Sequence, residues 1–296
     1  MSSAKTLLLF MAMRPKQWTK NALVMAGYIF AIGDKTQPIA KSAFWGALAA
    51  TFLFCLLSSA VYLFNDIMDR EQDRHHPEKK NRAVASGALS VKSAISWSLI
   101  FAVFSLVGGY FLSVQFAFVL LAYLILQIAY TMVLKQISLV DIFVIAIGFV
   151  LRALGGALVV GVEFSPWLLL CTLLLALFLA LCKRRHEKVV LSGTNGDARP
   201  ALGGYDEKLL DKLIAVVSFA TIASYSLYTF WPDTVEKFNS NKMSLTIPFV
   251  VFGIFRYLNL VYRHKKGDKP EQILLTDGPL LVDILLYGVT VLWILL

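Results

Sequence analysis

Asp66, Asp69 and Asp73 are spaced by three and four residues, with Asn65 directly before the first. On a helix these spacings return to one face. Three like charges on one face repel unless something cationic sits there. Hard carboxylate oxygens suit Mg²⁺, which keeps some waters and takes further ligands from substrate phosphates. Arg74, Lys79 and Arg82 follow within the same stretch and can hold phosphate oxygens. The pattern implies a metal-pyrophosphate site. The competing reading is a solvated loop of mixed charge, and the position of the motif at the end of a long apolar run argues against it. Asp66 and Asp73 lie seven residues apart, about 10 Å along a straight helix. Both can ligate one ion only if the helix ends between them; otherwise two ions bind, or Asp73 has another task.

The elements that carry these residues are membrane spans. The chain has 296 residues, 58% of them hydrophobic, with a mean hydropathy of +0.69. That is too apolar for an ordinary soluble domain, and the apolar residues come in long runs. Nine candidate spans fall at roughly 21–33, 43–65, 91–112, 115–134, 139–161, 166–182, 210–230, 244–262 and 278–296, most of them about the length that crosses a bilayer core. Backbone polar groups must be satisfied within lipid, so the spans are helices. The expectation is one all-α domain over residues 1–296, with no loop long enough to form a second.

Of the 28 Lys and Arg residues, 22 fall on the side that holds the N-terminus and the aspartate motif. The positive-inside rule makes that side cytoplasmic and puts the C-terminus on the other side of the cell (inner) membrane. The same rule accounts for the net charge of +9 without nucleic acid. Cys55, Cys171 and Cys182 read as small buried apolar residues. The four His residues have no zinc-type spacing with them. Leu7 to Met13 is too short for a cleaved signal and suits an amphipathic lead-in.

Other charged residues recur near the cytoplasmic side. Arg14, Lys16 and Lys20 flank the first span, and Trp18 suits an interfacial anchor. Tyr130 ends the fourth span and Lys135 follows it; Asp141 opens the fifth. Arg152 lies midway down that span, so it must face the interior and a partner. Asp141 and Arg152, eleven residues apart, are nearly on one face, about three turns apart. A structural polar contact is the alternative for Arg152. Ser90 is a candidate N-cap, Gly87 a turn, Pro77 a helix interruption, and Ser192 to Asp197 a flexible tip.

The run Asn65-Asp66-x-x-Asp69-x-x-x-Asp73-Arg74-x-His76-Pro77-x-Lys79 resembles the first aspartate-rich motif of the UbiA superfamily of intramembrane prenyltransferases. The resemblance implies nine helices around a central cavity with a cytoplasmic cap, and Mg²⁺ bound with a diphosphate. Most members carry a second Asp-x-x-x-Asp motif in the sixth-to-seventh loop; here that place reads Lys183-Arg184-Arg185-His186-Glu187. With Arg14-Pro15-Lys16-Gln17-Trp18-x-Lys20-Asn21, Leu134-Lys135, Asp141, Gly148-Phe149 and Arg152, the chain is similar to the subgroup that moves phosphoribosyl from phosphoribosyl diphosphate to a polyprenyl phosphate. One departure is Ala83, where the family usually has Pro.

The resemblance implies that Asp66, Asp69 and Asp73 hold the metal and serve catalysis. It implies substrate binding by Lys20, Asn65, Arg74, Lys79, Arg82, Tyr130, Lys135, Asp141, Arg152, Lys183, Arg184 and Glu187. The alternatives are an aromatic prenyltransferase using a polyprenyl diphosphate and a 4-hydroxybenzoate-like acceptor, and a transporter with an anion site. The missing second acidic motif disfavours the first. The lack of a matched pair of broken helices disfavours the second. A homo-oligomer is compatible with the sequence.

Overall fold

The computed structural model describes residues 3–37, 39–40, 42–76, 79–163, 165–191, 200–263, 273–274 and 276–296. Pro77 and the Ser192 to Asp197 tip lie outside the described residues. Every regular element among the described residues is helical. The helices are α1 (Ser3–Ala12), α2 (Ala26–Ile32), α3 (Ala43–Met68), α4 (Arg70–His75), α5 (Val91–Leu112), α6 (Val114–Met132), α7 (Val140–Val160), α8 (Pro166–Leu191), α9 (Pro200–Gly203), α10 (Glu207–Phe230), α11 (Pro232–Phe238), α12 (Ile247–Arg263) and α13 (Gly278–Leu295). Among the described residues eight helices are long and apolar enough to cross a membrane: α3, α5, α6, α7, α8, α10, α12 with its lead-in from Lys242, and α13.

The first of the nine expected spans is a composite. Pro15 opens a 3₁₀ stretch, Pro15–Met25, and only Ala26–Ile32 is α-helical. Pro at the first turn presets the helical φ and lacks an N–H that the turn would leave unpaired. The stretch and α2 after it pack tightly against α7. A Cβ on Gly27 would sit 2.7 Å from the backbone nitrogen of Ala157, and a Cβ on Gly156 would collide with the carbonyl of Val24. Small residues thus bring the two backbones into contact, as membrane helix pairs require.

Helix α7 joins two halves of the core. On one side Phe54, Leu57, Phe116 and Leu120 pack together from α3 and α6. On the other, Ile142 and Ala146 pack with Phe178, Leu181, Leu210, Ile214 and Tyr257 from α8, α10 and α12. Large apolar side chains such as Phe111, Phe219 and Val289 face outward, as lipid-facing positions do. Helix α1 buries Leu9 and Ala12 and exposes Leu7 and Met11, the two-faced pattern expected of an interfacial lead-in.

The expected punctuation is in place. The Ser90 hydroxyl accepts from the Ser93 amide at 3.2 Å, capping α5. Gly87 has φ of 80°, a left-handed turn conformation that favours glycine. Cys55 and Cys182 are buried free thiols.

Candidate active site

Helix α3 stops at Met68, and Asp69 leaves the helical conformation with φ −89° and ψ 3° before α4 begins. This break falls between Asp66 and Asp73, as a shared site requires. The Arg82 guanidinium nitrogen Nη1 lies 2.6 Å from Asp73 and 3.3 Å from Asp66. The two carboxylates therefore converge on one point of positive charge, and both are almost fully buried.

Arg14 approaches from the entry to the 3₁₀ stretch and donates to Asp66 through Nη2. Its backbone is left-handed at φ 55°, and its guanidinium lies 4.9 Å from the Tyr62 ring centroid. A non-glycine residue held in that region marks a place where the surroundings impose the conformation. Asp69 faces another cation: Lys135 Nζ donates to it at 2.5 Å, and Asn65 Nδ2 donates at 3.0 Å. Thr131 donates to the Asn65 carbonyl oxygen at 3.4 Å, so α6 helps to set the amide. Arg74 points away, bonded to Glu71 and to the Ala85 carbonyl. Lys79 and Lys20 each take part in interactions of their own.

A second cluster lies along the chain from Lys135. Arg184 Nε donates to Asp141 at 2.6 Å and its Nη1 donates to Glu187. The Tyr205 hydroxyl donates to Asp141 at 2.6 Å and accepts from the Leu139 amide at 2.7 Å. Burial pushes the Tyr205 phenol well up, and its hydrogen bond to Asp141 adds to the shift. Leu139 has φ of 67°, unfavourable for a leucine and fixed here by that bond. Tyr130 lies close enough to Arg184 to interact with its charge. Arg185 pairs with Asp211 and Glu207 and stacks 4.0 Å from the Tyr262 ring centroid. Arg184 and Arg185, near the end of α8, are thus committed to carboxylates of the chain, and Lys183 before them takes part in interactions too.

Arg152 stands apart from both clusters. Its guanidinium donates to Asn21 at 2.7 Å, to the Gly148 carbonyl at 2.7 Å and to the Tyr123 hydroxyl at 2.8 Å. Asn21 in turn bonds Ser58 at 3.2 Å. Asp141 is engaged with Arg184 and not with Arg152, so the shared helix face did not make them partners. The expected interior partner is a set of neutral groups that ties α7 to α3, α6 and the Pro15–Met25 stretch.

The expected site residues thus divide. Asp66 and Asp73 come together on Arg82, and Asn65, Asp69 and Lys135 form a group of their own. Asp141, Arg184 and Glu187 form a second cluster, and Arg152 is bonded to neutral groups elsewhere. Arg14 and Tyr205 complete the two clusters and were absent from the expected set. Arg14 had a signal, a cation directly before a helix-opening Pro; Tyr205, in a charged loop, had none.

As they stand, no three acidic, His or Cys side chains among the described residues are grouped to hold a metal. The donor chemistry nonetheless fits a hard divalent cation. Asp66 and Asp73 already share one positively charged atom, and the Asp69 carboxylate follows at the helix break, bonded to Asn65.

Comparison with known proteins places this geometry. Residues 22–186 match the UbiA prenyltransferase family. The chain is 32% identical over 276 residues to decaprenyl-phosphate phosphoribosyltransferase of Mycolicibacterium smegmatis, covering 91% of this chain and 86% of that protein. It is likewise 32% identical to the protein of that name from Corynebacterium glutamicum, over 92% of this chain and 81% of the other. A UbiA homologue from Archaeoglobus fulgidus, solved with GPP and Mg²⁺, shares the fold with a TM-score of 0.73 at 18% identity, covering 98% of this chain and 99% of that one. With more than half its length matched, and the aspartate-bearing end of α3 inside the match, this chain belongs to the UbiA prenyltransferase family.

Proposed function

We propose that this protein transfers the 5-phosphoribosyl group from phosphoribosyl diphosphate to a polyprenyl phosphate and releases pyrophosphate, in a Mg²⁺-dependent reaction at the cytoplasmic face of the cell membrane. The observation that carries the reading is the convergence of Asp66 and Asp73 on one cation, with Arg14 also on Asp66 and Lys135 on the intervening Asp69. The similarity over about nine-tenths of the chain to proteins named for this transfer supports the choice of substrates.

Asp66, Asp73 and Asp69, with Asn65 beside them, would hold the metal. Mg²⁺ held there would neutralise charge on the departing pyrophosphate. Arg14, Arg82 and Lys135 exchange carboxylate partners for phosphate oxygens when substrate arrives. These cations are already held at the carboxylates, so little reorganisation accompanies the reaction. Lys20, Lys79 and Lys183 add phosphate contacts. Breaking the anomeric bond leaves an oxocarbenium-like carbon, which the lipid phosphate oxygen attacks. That oxygen is already anionic, so no strong general base is needed, and none of the four His residues is assigned one. Arg184 acts as a positioning residue: it fixes Asp141, and through Tyr205 the backbone at Leu139, four residues beyond Lys135. The hydrocarbon chain of the lipid lies between helices and enters sideways from the bilayer.

The test is pyrophosphate release by purified protein. Release that requires phosphoribosyl diphosphate, a polyprenyl phosphate and Mg²⁺ together supports the reading. Release that needs no lipid phosphate, or that persists in excess EDTA, contradicts it.

A further inference from the structure

Trp18 turns its indole N–H into the bundle and donates to the Ser59 hydroxyl at 3.1 Å. The same hydroxyl oxygen lies 3.1 Å from the Met13 carbonyl oxygen and 2.7 Å from that of Cys55. A hydroxyl has one proton, so Ser59 shares it between a carbonyl one turn back on α3 and a carbonyl of the chain entering the first span. Ser59 itself is fully buried. It meets the entering chain on both sides of Arg14, at Met13 directly before it and at Trp18 four residues after. Between these fastenings the Arg14 backbone makes its left-handed turn, with its amide 3.1 Å from the Met11 carbonyl and its carbonyl 2.8 Å from the Gln17 amide. Arginine avoids that conformation unless its surroundings hold it there.

The stripe of α3 that bears Ser59 continues to the site. Tyr62 and Asp66 follow it by three and seven residues, and so share its helix face. The Arg14 guanidinium lies over the Tyr62 ring and donates to Asp66. One helix stripe thus fixes the backbone around Arg14 at one level and its charged end at the next.

We propose that Ser59 is the positioning residue for Arg14: its hydroxyl, tied to Met13 and Trp18, holds the left-handed turn that aims the guanidinium at the Asp66 end of the site. Trp18, expected as an interfacial anchor, is the second half of the fastening. The inference rests on the proposed role of Arg14 in holding a phosphate oxygen and names the residue that directs it. Ser59 touches no substrate in this account and acts through Arg14 alone.

The test measures binding of pyrophosphate with Mg²⁺ by calorimetry, on the full chain in nanodiscs of zwitterionic lipid. Pyrophosphate carries neither ribose nor lipid, so the result does not depend on which substrate brings the diphosphate. The native protein is compared with Arg14→Ala, Ser59→Ala and the double variant, with melting temperatures as the check on folding. The expected result is a loss of about tenfold for Arg14→Ala, the scale of one charge-assisted contact, and of roughly fivefold for Ser59→Ala. The double variant should bind within about twofold of Arg14→Ala, because a residue that acts through Arg14 has nothing left to direct. Trp18→Phe keeps the ring against Phe10 and loses the N–H. It should weaken binding in the native background and not in Arg14→Ala, which tests the fastening even if Ser59→Ala fails to fold. A Ser59→Ala loss that recurs in full in the Arg14→Ala background overturns the proposal while leaving the phosphate role of Arg14 intact, and so does native affinity in Ser59→Ala. Native affinity in Arg14→Ala overturns it as well, and in that case also removes Arg14 from the phosphate site of the proposed function.

Discussion

Arg82 bridges Asp66 and Asp73 through a single nitrogen, 3.3 Å from one carboxylate and 2.6 Å from the other. The bridge closes the break in helix α3 and keeps two buried like charges together. Asp66→Ala or Asp69→Ala should abolish turnover while the protein still inserts and purifies normally. Pyrophosphate release and size-exclusion behaviour check this together. Near-normal turnover of both variants would remove the metal assignment.

Arg82→Ala should damage both function and fold. It leaves Asp66 with Arg14 alone and Asp73 without the ion pair seen here. Removing one member of a buried pair costs about 3–5 kcal/mol. Added Mg²⁺ should restore part of the lost thermal stability, because a divalent ion can replace the missing bridge. A variant whose melting temperature is unmoved by Mg²⁺ would show that the two aspartates do not share an ion.

Lys183 and Arg184 are adjacent in sequence and should behave differently. Arg184 is 2% exposed and bound to Asp141 and Glu187. Arg184→Ala should lower stability by about 3–5 kcal/mol, with Asp141→Asn recovering part of the loss in the double variant. Lys183→Ala should leave stability nearly unchanged and raise the KM of one phosphorylated substrate about tenfold. Denaturation and steady-state kinetics on the two variants separate the effects; the reverse assignment would contradict it.

The aspartate motif, the span pattern, the cap at Ser90 and the turn at Gly87 could be read from residue type and spacing, because each is a local property. Pairing could not. Asp141 and Arg152 share a helix face, yet Asp141 turns to Arg184 of α8 and Arg152 turns to Asn21 and Tyr123. Periodicity gives the face of a residue but not the helix that packs against it. The first span was hard to delimit because its 3₁₀ stretch is imposed by contact with α7 and not by its own propensity. Tyr205 was invisible for the same reason: its two hydrogen bonds, to Asp141 and Leu139, reach residues more than sixty positions away.

Tyr205→Phe removes a hydroxyl that serves one buried acceptor and one buried donor. The loss should cost about 1–3 kcal/mol for each group left unpaired. The phenol is raised in the folded protein by burial and then by Asp141. Its contribution is therefore fully present below the unfolded value of about 10 and falls as pH rises above it. Tyr205→Phe should be less stable than the native protein at neutral pH, and the gap should narrow in alkali. A gap that widens with pH would contradict the assigned proton.

The most direct measurement offers one purified preparation two substrate pairs with Mg²⁺ and identifies the lipid product by mass. The first pair is phosphoribosyl diphosphate with a polyprenyl phosphate; the second is a polyprenyl diphosphate with 4-hydroxybenzoate. The cationic end of α8 at Lys183 to Arg185, where most of the family carries a second aspartate motif, leads to the expectation of phosphoribosyl-phosphopolyprenol from the first pair and no prenylated acid from the second. Prenylation of 4-hydroxybenzoate with no consumption of phosphoribosyl diphosphate would contradict that result and restore the aromatic prenyltransferase reading.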